Sequence, residues 1–172
     1  MKKIVFALLF AFLFVPVANA FDFNRAEDTD MSRFKLLSMS DDRVVFFDTK
    51  TIKYKKNEEG KNMYNIVDVW QRMYYISYDM KNDIENNLNE AGKILSARDT
   101  LDFEIYHCYY NIKEKTYAPV QRIVYDENGK IVYSENFVEH YEEIVPGTGG
   151  ELWFTGIKKY AKENHSVMRK RF

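Results

Sequence analysis

The sequence predicts an α+β fold: a bent antiparallel β-sheet of about six strands, a C-terminal helix packed on one face, and a helical excursion between central strands. Three observations predict this class. Apolar and polar residues alternate over several segments, Asn128-Gly129 marks a hairpin turn between two of them, and the apolar spacing becomes helical after Pro146. Because an amphipathic helix must bury its apolar stripe and the sheet is the only large apolar partner, the helix is expected to dock on the sheet.

The first twenty residues have the three parts of a secretory signal peptide. Lys2 and Lys3 form the positive segment, an apolar run covers residues 4–15, and Ala18-Asn19-Ala20 supplies the small residues that signal peptidase requires. The apolar run is shorter than the roughly 18–20 residues that span a bilayer, so cleavage is expected rather than a membrane anchor. No cysteine lies near this site to accept a lipid. The protein is therefore expected to be exported, to the periplasm or to the cell surface.

The remaining chain has the length and charge balance of one domain. Without its first 20 residues the 172-residue chain has 152, and without Lys2 and Lys3 its 25 basic residues become 23 against 26 acidic ones, a net charge of −3. This balance gives no general attraction to nucleic acid or to anionic membranes. The predicted organisation is a signal peptide (1–20), a flexible leader (21–32), a single domain (33–162) and a disordered basic C-terminal tail (163–172).

Alternation predicts three strands before the first helix, at residues 33–39, 43–47 and 63–75. Ser40-Asp41-Asp42 forms a natural turn, so the first two strands are expected to pair as a hairpin. The third strand has apolar residues on both of its faces, which places it in the centre of the sheet. The charged residues 55–62 are interpreted as a solvated loop.

Residues 77–91 are expected to form a helix between two strands of the sheet. Met80, Ile84 and Leu88 recur at helical spacing, and Asp79 can cap the start. After this helix the apolar residues again alternate with a period of two, as in a strand, so the helix is interpreted as an excursion between two strands of the sheet.

Three more strands are predicted, at residues 100–111, 116–125 and 130–134. The last two are joined by a turn at residues 126–129, whose Asn-Gly pair is the strongest hairpin signal in the chain. The first of the three alternates cleanly, so its residues divide into two sets. One face carries Leu101, Phe103, Ile105, His107 and Tyr109, and the other carries Asp102, Glu104, Tyr106, Cys108 and Tyr110.

The C-terminal helix is predicted to begin after Pro146-Gly147, which ends extended structure. Thr148 precedes Glu151 by three residues, the spacing of a capping box in which each side chain accepts a hydrogen bond from the other residue's backbone N–H. Apolar residues then share one side of the helix, and lysines lie on the other. The apolar stripe consists of Leu152, Trp153, Gly156, Ile157 and Tyr160.

The chain has a single cysteine, Cys108, and therefore no intramolecular disulfide. Burial is favoured because cysteine is among the most buried residue types, and pairing with another chain is the alternative. Neighbouring residues on a strand point to opposite faces. His107 and Cys108 are therefore not expected to bind one metal ion or to act as a nucleophile and its base.

No catalytic, metal or cofactor site is predicted, because the sequence has no G-x-S-x-G, P-loop or H-E-x-x-H motif. Gly147, Gly149 and Gly150 could cradle an anion, but the start of a helix explains them without a ligand. The protein is expected not to be an enzyme. A buried histidine–carboxylate pair within hydrogen-bond reach would reopen the enzymatic alternative.

Two motifs near the C-terminus carry a family resemblance. Residues 125–134 read Y-D-x-x-G-x-x-V-Y-S, and residues 142–151 read E-x-I-V-P-G-T-x-G-E. With weaker matches at residues 45–52 and 67–74, the chain resembles the bacterial surface-adhesin protein E-like family over roughly residues 34–160. The resemblance implies an exported domain with a strongly bent sheet and a docked C-terminal helix. It also implies a binding role at the surface or in the periplasm, since some relatives are adhesins for host matrix proteins.

The chain departs from that family in its cysteines. Family members commonly pair the strand cysteine with a second cysteine in the C-terminal helix, which would fall near Lys158, where this chain has none. The helix is therefore expected to be held by packing alone, through Leu152, Trp153 and Ile157.

The expected function is that of an exported, non-enzymatic, adhesin-like binding domain that contacts a host matrix protein or a bacterial envelope protein. The alternative is a periplasmic carrier that holds a small ligand against a concave aromatic sheet face; the oligomeric state is left open. Tyrosines suit protein recognition because each gives a large apolar contact with a polar tip. The candidate protein-binding surface consists of Tyr74, Tyr75, Tyr78, Tyr106 and Tyr110.

Overall fold

The computed structural model describes residues 30, 32–90 and 101–171. The predicted signal peptide, most of the leader and the end of the first predicted helix lie outside the described residues. The strands are β1 (Phe34–Met39), β2 (Arg43–Asp48), β3 (Lys53–Lys56), β4 (Asn62–Tyr75), β5 (Leu101–Asn111), β6 (Thr116–Asp126), β7 (Ile131–Asn136) and β8 (Glu142–Glu143). The helices are α1 (Tyr78–Glu90), α2 (Gly149–Glu163) and α3 (His165–Met168).

The strands form one sheet in the order β1-β2-β4-β5-β6-β7, with β3 also paired to β4 and β8 to β6. Every pairing is antiparallel, and α1 connects β4 to its neighbour β5. The predicted α+β class is confirmed. The described sheet has eight strands, because two short strands extend the expected six. One of these is β3, so the predicted loop was too long: Lys55 and Lys56 pair with β4.

Both longer helices lie on the same face of the sheet, which we call the covered face. The cores beneath them contain apolar residues from alternate positions of the central strands, as period-two alternation requires. Beneath α2 and α3 the buried residues include Phe47, Val67, Val69, Cys108, Tyr110, Phe154 and Ile157. Beneath α1 they are Tyr75, Ile84, Leu88, Leu101 and Val124. The prediction that Leu101 shares a face with Phe103 is wrong, because the register shifts between these two residues.

The helix α2 packs through a stripe shifted from the predicted one. Ile157 is fully buried as expected, but Leu152 is 60% exposed and Phe154 is buried in its place. Trp153 is half-buried and donates from Nε1 to Ser38 Oγ at 2.7 Å. A methyl group at Gly156 would lie 2.7 Å from Leu37, so this glycine lets the helix approach β1 closely.

The start of α2 is stabilised differently from the predicted reciprocal capping box. The Thr148 hydroxyl donates to the carbonyl of Val145 at 2.7 Å and makes no cap bond. The Glu151 carboxylate instead accepts from the backbone N–H of Gly147 at 2.8 Å. At α1, Ser77 and not Asp79 supplies the cap, since Ser77 Oγ accepts from the Met80 N–H at 3.2 Å. No helix among the described residues is long and apolar enough to cross a membrane.

The basic tail is part of the domain, so the prediction that it is disordered is wrong for residues 164–171. Met168 is fully buried in the core beneath α2. Arg171 donates from Nη1 to the carbonyls of Thr49 and Ile52, at 2.6 and 2.7 Å. The sequence predicts disorder here because the carbonyl groups that bind Arg171 belong to residues far away in the chain.

Candidate functional site

The structure buries most of the tyrosines that were predicted to form a binding surface. Tyr74, Tyr75 and Tyr110 are only 6%, 4% and 2% exposed, so the prediction that they line an exposed face is wrong. Tyr106 is half-buried, whereas Tyr78 is 57% exposed at the start of α1. A role for Tyr78 and Tyr106 in binding stays a prediction.

Tyr74 lies on the face away from the helices, where it is buried in a cluster with Phe34, Val44 and Phe46. For Tyr75 and Tyr110 the physical reason is the side of the sheet on which the helices dock. The face of β5 that carries Glu104, Tyr106, Cys108 and Tyr110 looks more polar in sequence, yet it is the covered face. Tyr110 is accommodated because its hydroxyl donates to Gln71 Oε1 at 3.1 Å.

The opposite face carries no helix among the described residues, and we call it the open face. It is built at register-matched positions of the three central strands: Trp70 faces His107, Arg72 faces Ile105, and Phe103 faces Tyr125. On this face Asp68 and Tyr74 are buried. Eight other side chains of the central strands are half-buried, neither enclosed nor free in solvent. They are Trp70, Arg72, Phe103, Ile105, His107, Tyr109, Ile123 and Tyr125.

The rings of the open face are held in fixed positions by one another. Trp70 and His107 stack with centroids 4.5 Å apart and planes at 6°, and Phe103 stacks on Tyr125 at 4.6 Å. Tyr109 meets the His107 ring edge-on at 5.3 Å. Such pairs favour fixed geometry, and rigid aromatic side chains lose little entropy when a partner binds.

A groove of about 310 Å³ runs across this face. At one end, Arg33 Nη2 lies 2.5 Å from Asp48 Oδ2. Burial alone would raise the pKa of Asp48, but the Arg33 guanidinium and the backbone N–H of Lys50 lower it below its ordinary value. The pair is therefore charged at neutral pH. The rest of the lining includes Phe34, Trp70, Arg72, Ile105, Ile123 and Tyr125.

A larger groove of about 410 Å³ lies beside α2, but its polar groups are less fixed. Its cations are exposed lysines, and one of them, Lys158, lies 5.5 Å from the Phe154 ring. Flexible exposed lysines give a general positive charge without a defined recognition geometry. The open face is the better-defined candidate.

The open face also holds the feature that reopens an enzymatic alternative. His107 Nε2 lies 2.6 Å from Asp68 Oδ1, with side chains 18% and 12% exposed, and Lys53 Nζ lies 4.0 Å from the other carboxylate oxygen. A carboxylate in this position orients an imidazole, as in acid–base catalysis. Within the described chain, however, Asp68 is the only hydrogen-bond partner of the His107 ring, and no hydroxyl or thiol forms a hydrogen bond with it. The arrangement orients an imidazole, but the described residues pair it with no nucleophile.

The sequence predicts only that His107 does not act together with Cys108, and it does not indicate Asp68. The signal that could have found the pair is the antiparallel register of β4 and β5, in which Asp68 faces Tyr109 and Trp70 faces His107. Such a diagonal neighbour becomes visible only once the register is known.

Cys108 is buried, which confirms the favoured alternative over pairing with another chain. It is 4% exposed, and burial raises the pKa of its thiol to about 12. Because the thiolate is the reactive form, this thiol is poorly suited to nucleophilic or redox chemistry. Among the described residues, no group of three or more His, Cys, Asp and Glu side chains could hold a metal ion.

The covered face contains a buried ion pair between its two apolar cores. Arg122 Nε lies 2.7 Å from Glu104 Oε2, and Glu104 is only 3% exposed. Burial raises the pKa of Glu104, although the Arg122 guanidinium opposes the shift. The Glu104 carboxylate of this pair is almost fully buried, and the Arg122 side chain is 15% exposed, so the pair is interpreted as structural.

Comparisons with protein-family models, with curated proteins and with solved structures gave no match to this chain. The resemblance to the protein E-like family therefore stays a prediction from the motifs at residues 125–134 and 142–151. The site is interpreted from its own geometry.

Proposed function

We propose that this protein is an exported, non-enzymatic binding domain, adhesin-like in its role, whose open face contacts a host matrix protein or a bacterial envelope protein. One observation carries the proposal: two stacked pairs of half-buried rings, Trp70–His107 and Phe103–Tyr125, lie on the side of the sheet that no described helix covers. Export rests on the signal-peptide pattern of residues 1–20.

The chemistry of this surface supports recognition of a protein. Interfaces are enriched in Trp, Tyr and Arg, and the residues that dominate binding lie in well-packed central positions. Trp70 and Tyr109 are of this kind, and Tyr109 is contacted on its face by the Lys55 ammonium at 4.2 Å. The rings are already positioned, so little ordering is needed when a partner binds.

The test measures binding of the chain from residue 21 onward to immobilised host matrix proteins and to solubilised envelope proteins of its own cell. Trp70→Ala combined with Tyr109→Ala is expected to weaken binding by about 30-fold or more, the effect of removing central hot-spot residues. Thermal unfolding of each variant shows whether the fold is kept.

The matched control is Tyr64→Ala combined with Leu152→Ala, which also removes one aromatic and one apolar side chain, 50% and 60% exposed. Tyr64 contacts the His165 ring of α3 and is therefore away from the open face. It is expected to bind as the unmodified chain does. Equal loss in both variants, or no retention on any of the immobilised proteins, would contradict the proposal. Cell fractionation with protease treatment of intact cells distinguishes surface from periplasmic residence.

A second function, a periplasmic small-ligand carrier, is favoured by the groove. Its volume of about 310 Å³ is at the lower end of the range for small-molecule sites, roughly 300–1,000 Å³. Native mass spectrometry of protein purified from its own host separates the two functions. A co-purifying small molecule displaced by Trp70→Ala supports the carrier, whereas ligand-free protein supports the adhesin-like domain.

A further inference from the structure

The geometry of Arg72 points to a specific recognition chemistry, and this inference rests on the proposed function. We infer that the open-face groove accepts a carboxylate, the side chain of an Asp or Glu on the protein partner, flanked there by apolar residues. Arg72 holds the carboxylate, and the apolar lining holds its neighbours.

Arg72 is fixed between two aromatic rings. Its guanidinium carbon lies 4.7 Å from the centroid of Phe34 and 4.8 Å from that of Phe103. Nη1 donates a hydrogen bond to the Tyr74 hydroxyl at 3.1 Å, which restrains the guanidinium within the plane between the two rings. A guanidinium held in this way is pre-organised, so binding an anion requires little further loss of side-chain freedom.

Its charge has no carboxylate partner among the described residues. The nearest acidic group in the groove, Asp48, is paired with Arg33. The Nε atom of Arg72 is buried and has no hydrogen-bond partner among the described residues. The Nη2 atom also makes no hydrogen bond to them, but it is not buried. A planar guanidinium with an open Nη2 and an unsatisfied Nε is the arrangement that a carboxylate recognises.

The lining of the groove indicates what should flank the carboxylate. Ile105 and Ile123 lie next to Arg72 on the sheet, with Trp70 and Tyr125 beside them. Phosphate groups carry more charge and more water, and suit exposed clusters of several cations. Arg33 in this groove is already paired with Asp48, so Arg72, the one unpaired cation among the described lining residues, fits one carboxylate beside aliphatic side chains.

The test uses a matched pair of acetylated, amidated tripeptides, leucine–glutamate–leucine and leucine–glutamine–leucine. Their binding is followed by NMR at the indole N–H of Trp70 and the Nε–H of Arg72. The glutamate peptide is expected to shift both signals and to bind about tenfold more tightly than its glutamine twin, the factor for one charge-assisted hydrogen bond. Equal binding of both peptides, or no binding of either, would overturn the inference.

Arg72→Gln is expected to abolish the preference for glutamate, and Arg72→Lys to restore little of it, since an ammonium lacks the planar fork. Arg169→Gln, which removes an exposed arginine elsewhere, is the control and should leave the preference intact. Because the peptide pair is compared on the unmodified chain, the inference stays testable even if an Arg72 variant fails to fold.

Two further results separate this inference from the proposed function. If Trp70→Ala with Tyr109→Ala abolishes capture of a partner protein while Arg72→Gln does not, the carboxylate inference fails and the proposed function stands. If 3-phenylpropionate shifts Arg72 and its amide does not, while neither tripeptide binds, the carboxylate comes from a small molecule. That result overturns the protein source and favours the carrier.

Discussion

The covered face and the open face are built by the same central strands, with successive residues pointing to opposite sides. On the covered face, Glu104 and Arg122 are enclosed between two apolar cores and satisfy each other. On the open face, Arg72 is held by rings and a hydroxyl, with no carboxylate among the described residues. The two arginines therefore differ in function: Arg122 neutralises a buried carboxylate of the same chain, and Arg72 remains available to bind a carboxylate of a partner.

This difference follows from dielectric and solvent access. A buried charge without a partner is strongly destabilising, so the covered face must supply its own counter-ion. A half-exposed guanidinium keeps part of its hydration and gains from ring contacts, so it is stable without one. Removing Arg122 should consequently lower the free energy of unfolding, whereas removing Arg72 should mainly weaken partner binding.

The largest effect is expected from breaking the pair on the covered face. Arg122→Met leaves the Glu104 carboxylate buried and unpaired, so the free energy of unfolding should fall by about 3–5 kcal/mol, as measured by urea titration. Adding Glu104→Gln removes the uncompensated charge and should recover part of the loss. If Arg122→Met alone is as stable as the unmodified chain, water reaches Glu104 and the prediction is wrong.

A somewhat smaller effect is expected from the stripe by which α2 docks. Ile157→Ala leaves a cavity in the fully buried core and should lower the free energy of unfolding by about 2–5 kcal/mol. Leu152→Ala, at an exposed position of the same helix, should change it by less than about 0.5 kcal/mol. Comparable losses would mean that the helix packs through the stripe predicted from sequence.

The smallest effect is expected at the edge of the open face and depends on pH. The folded-state pKa of Asp48 lies below its ordinary value of 3.8, so its stabilisation is complete above that value and is lost as pH falls through the folded pKa. Asp48→Asn should lower the free energy of unfolding by about 1–3 kcal/mol at neutral pH. Urea midpoints should converge with those of the unmodified chain as the pH falls below about 4. A constant difference across this range would assign the loss to packing instead.

Local patterns in the sequence predicted most of the strands because they depend on neighbours in the chain. Alternation located β4 and β5 within one residue at each end, and Asn128-Gly129 located the turn between β6 and β7. The predicted reciprocal cap at Thr148 is wrong, because the Glu151 carboxylate accepts from the Gly147 N–H and the Thr148 hydroxyl donates to the Val145 carbonyl.

The candidate site was predicted less well, because it depends on contacts between distant residues. Tyr75 and Tyr110 were chosen for their chemistry, but aromatic composition does not indicate which side of a strand is enclosed. The Asp68–His107 pair and the two rings around Arg72 are cross-strand contacts, so they follow from register and not from spacing along the chain.

The sequence by itself determined the α+β class, the order of the main elements and the division of each central strand into two sets of side chains. Period-two geometry requires that division wherever the pairing is regular, and it fails at Leu101, where a shift of register moves the side chain to the covered face. Only the tertiary structure decided which set is covered. That choice depends on how α1, α2 and residues 164–171 fill the space above the sheet, and packing of this kind is a property of the whole domain.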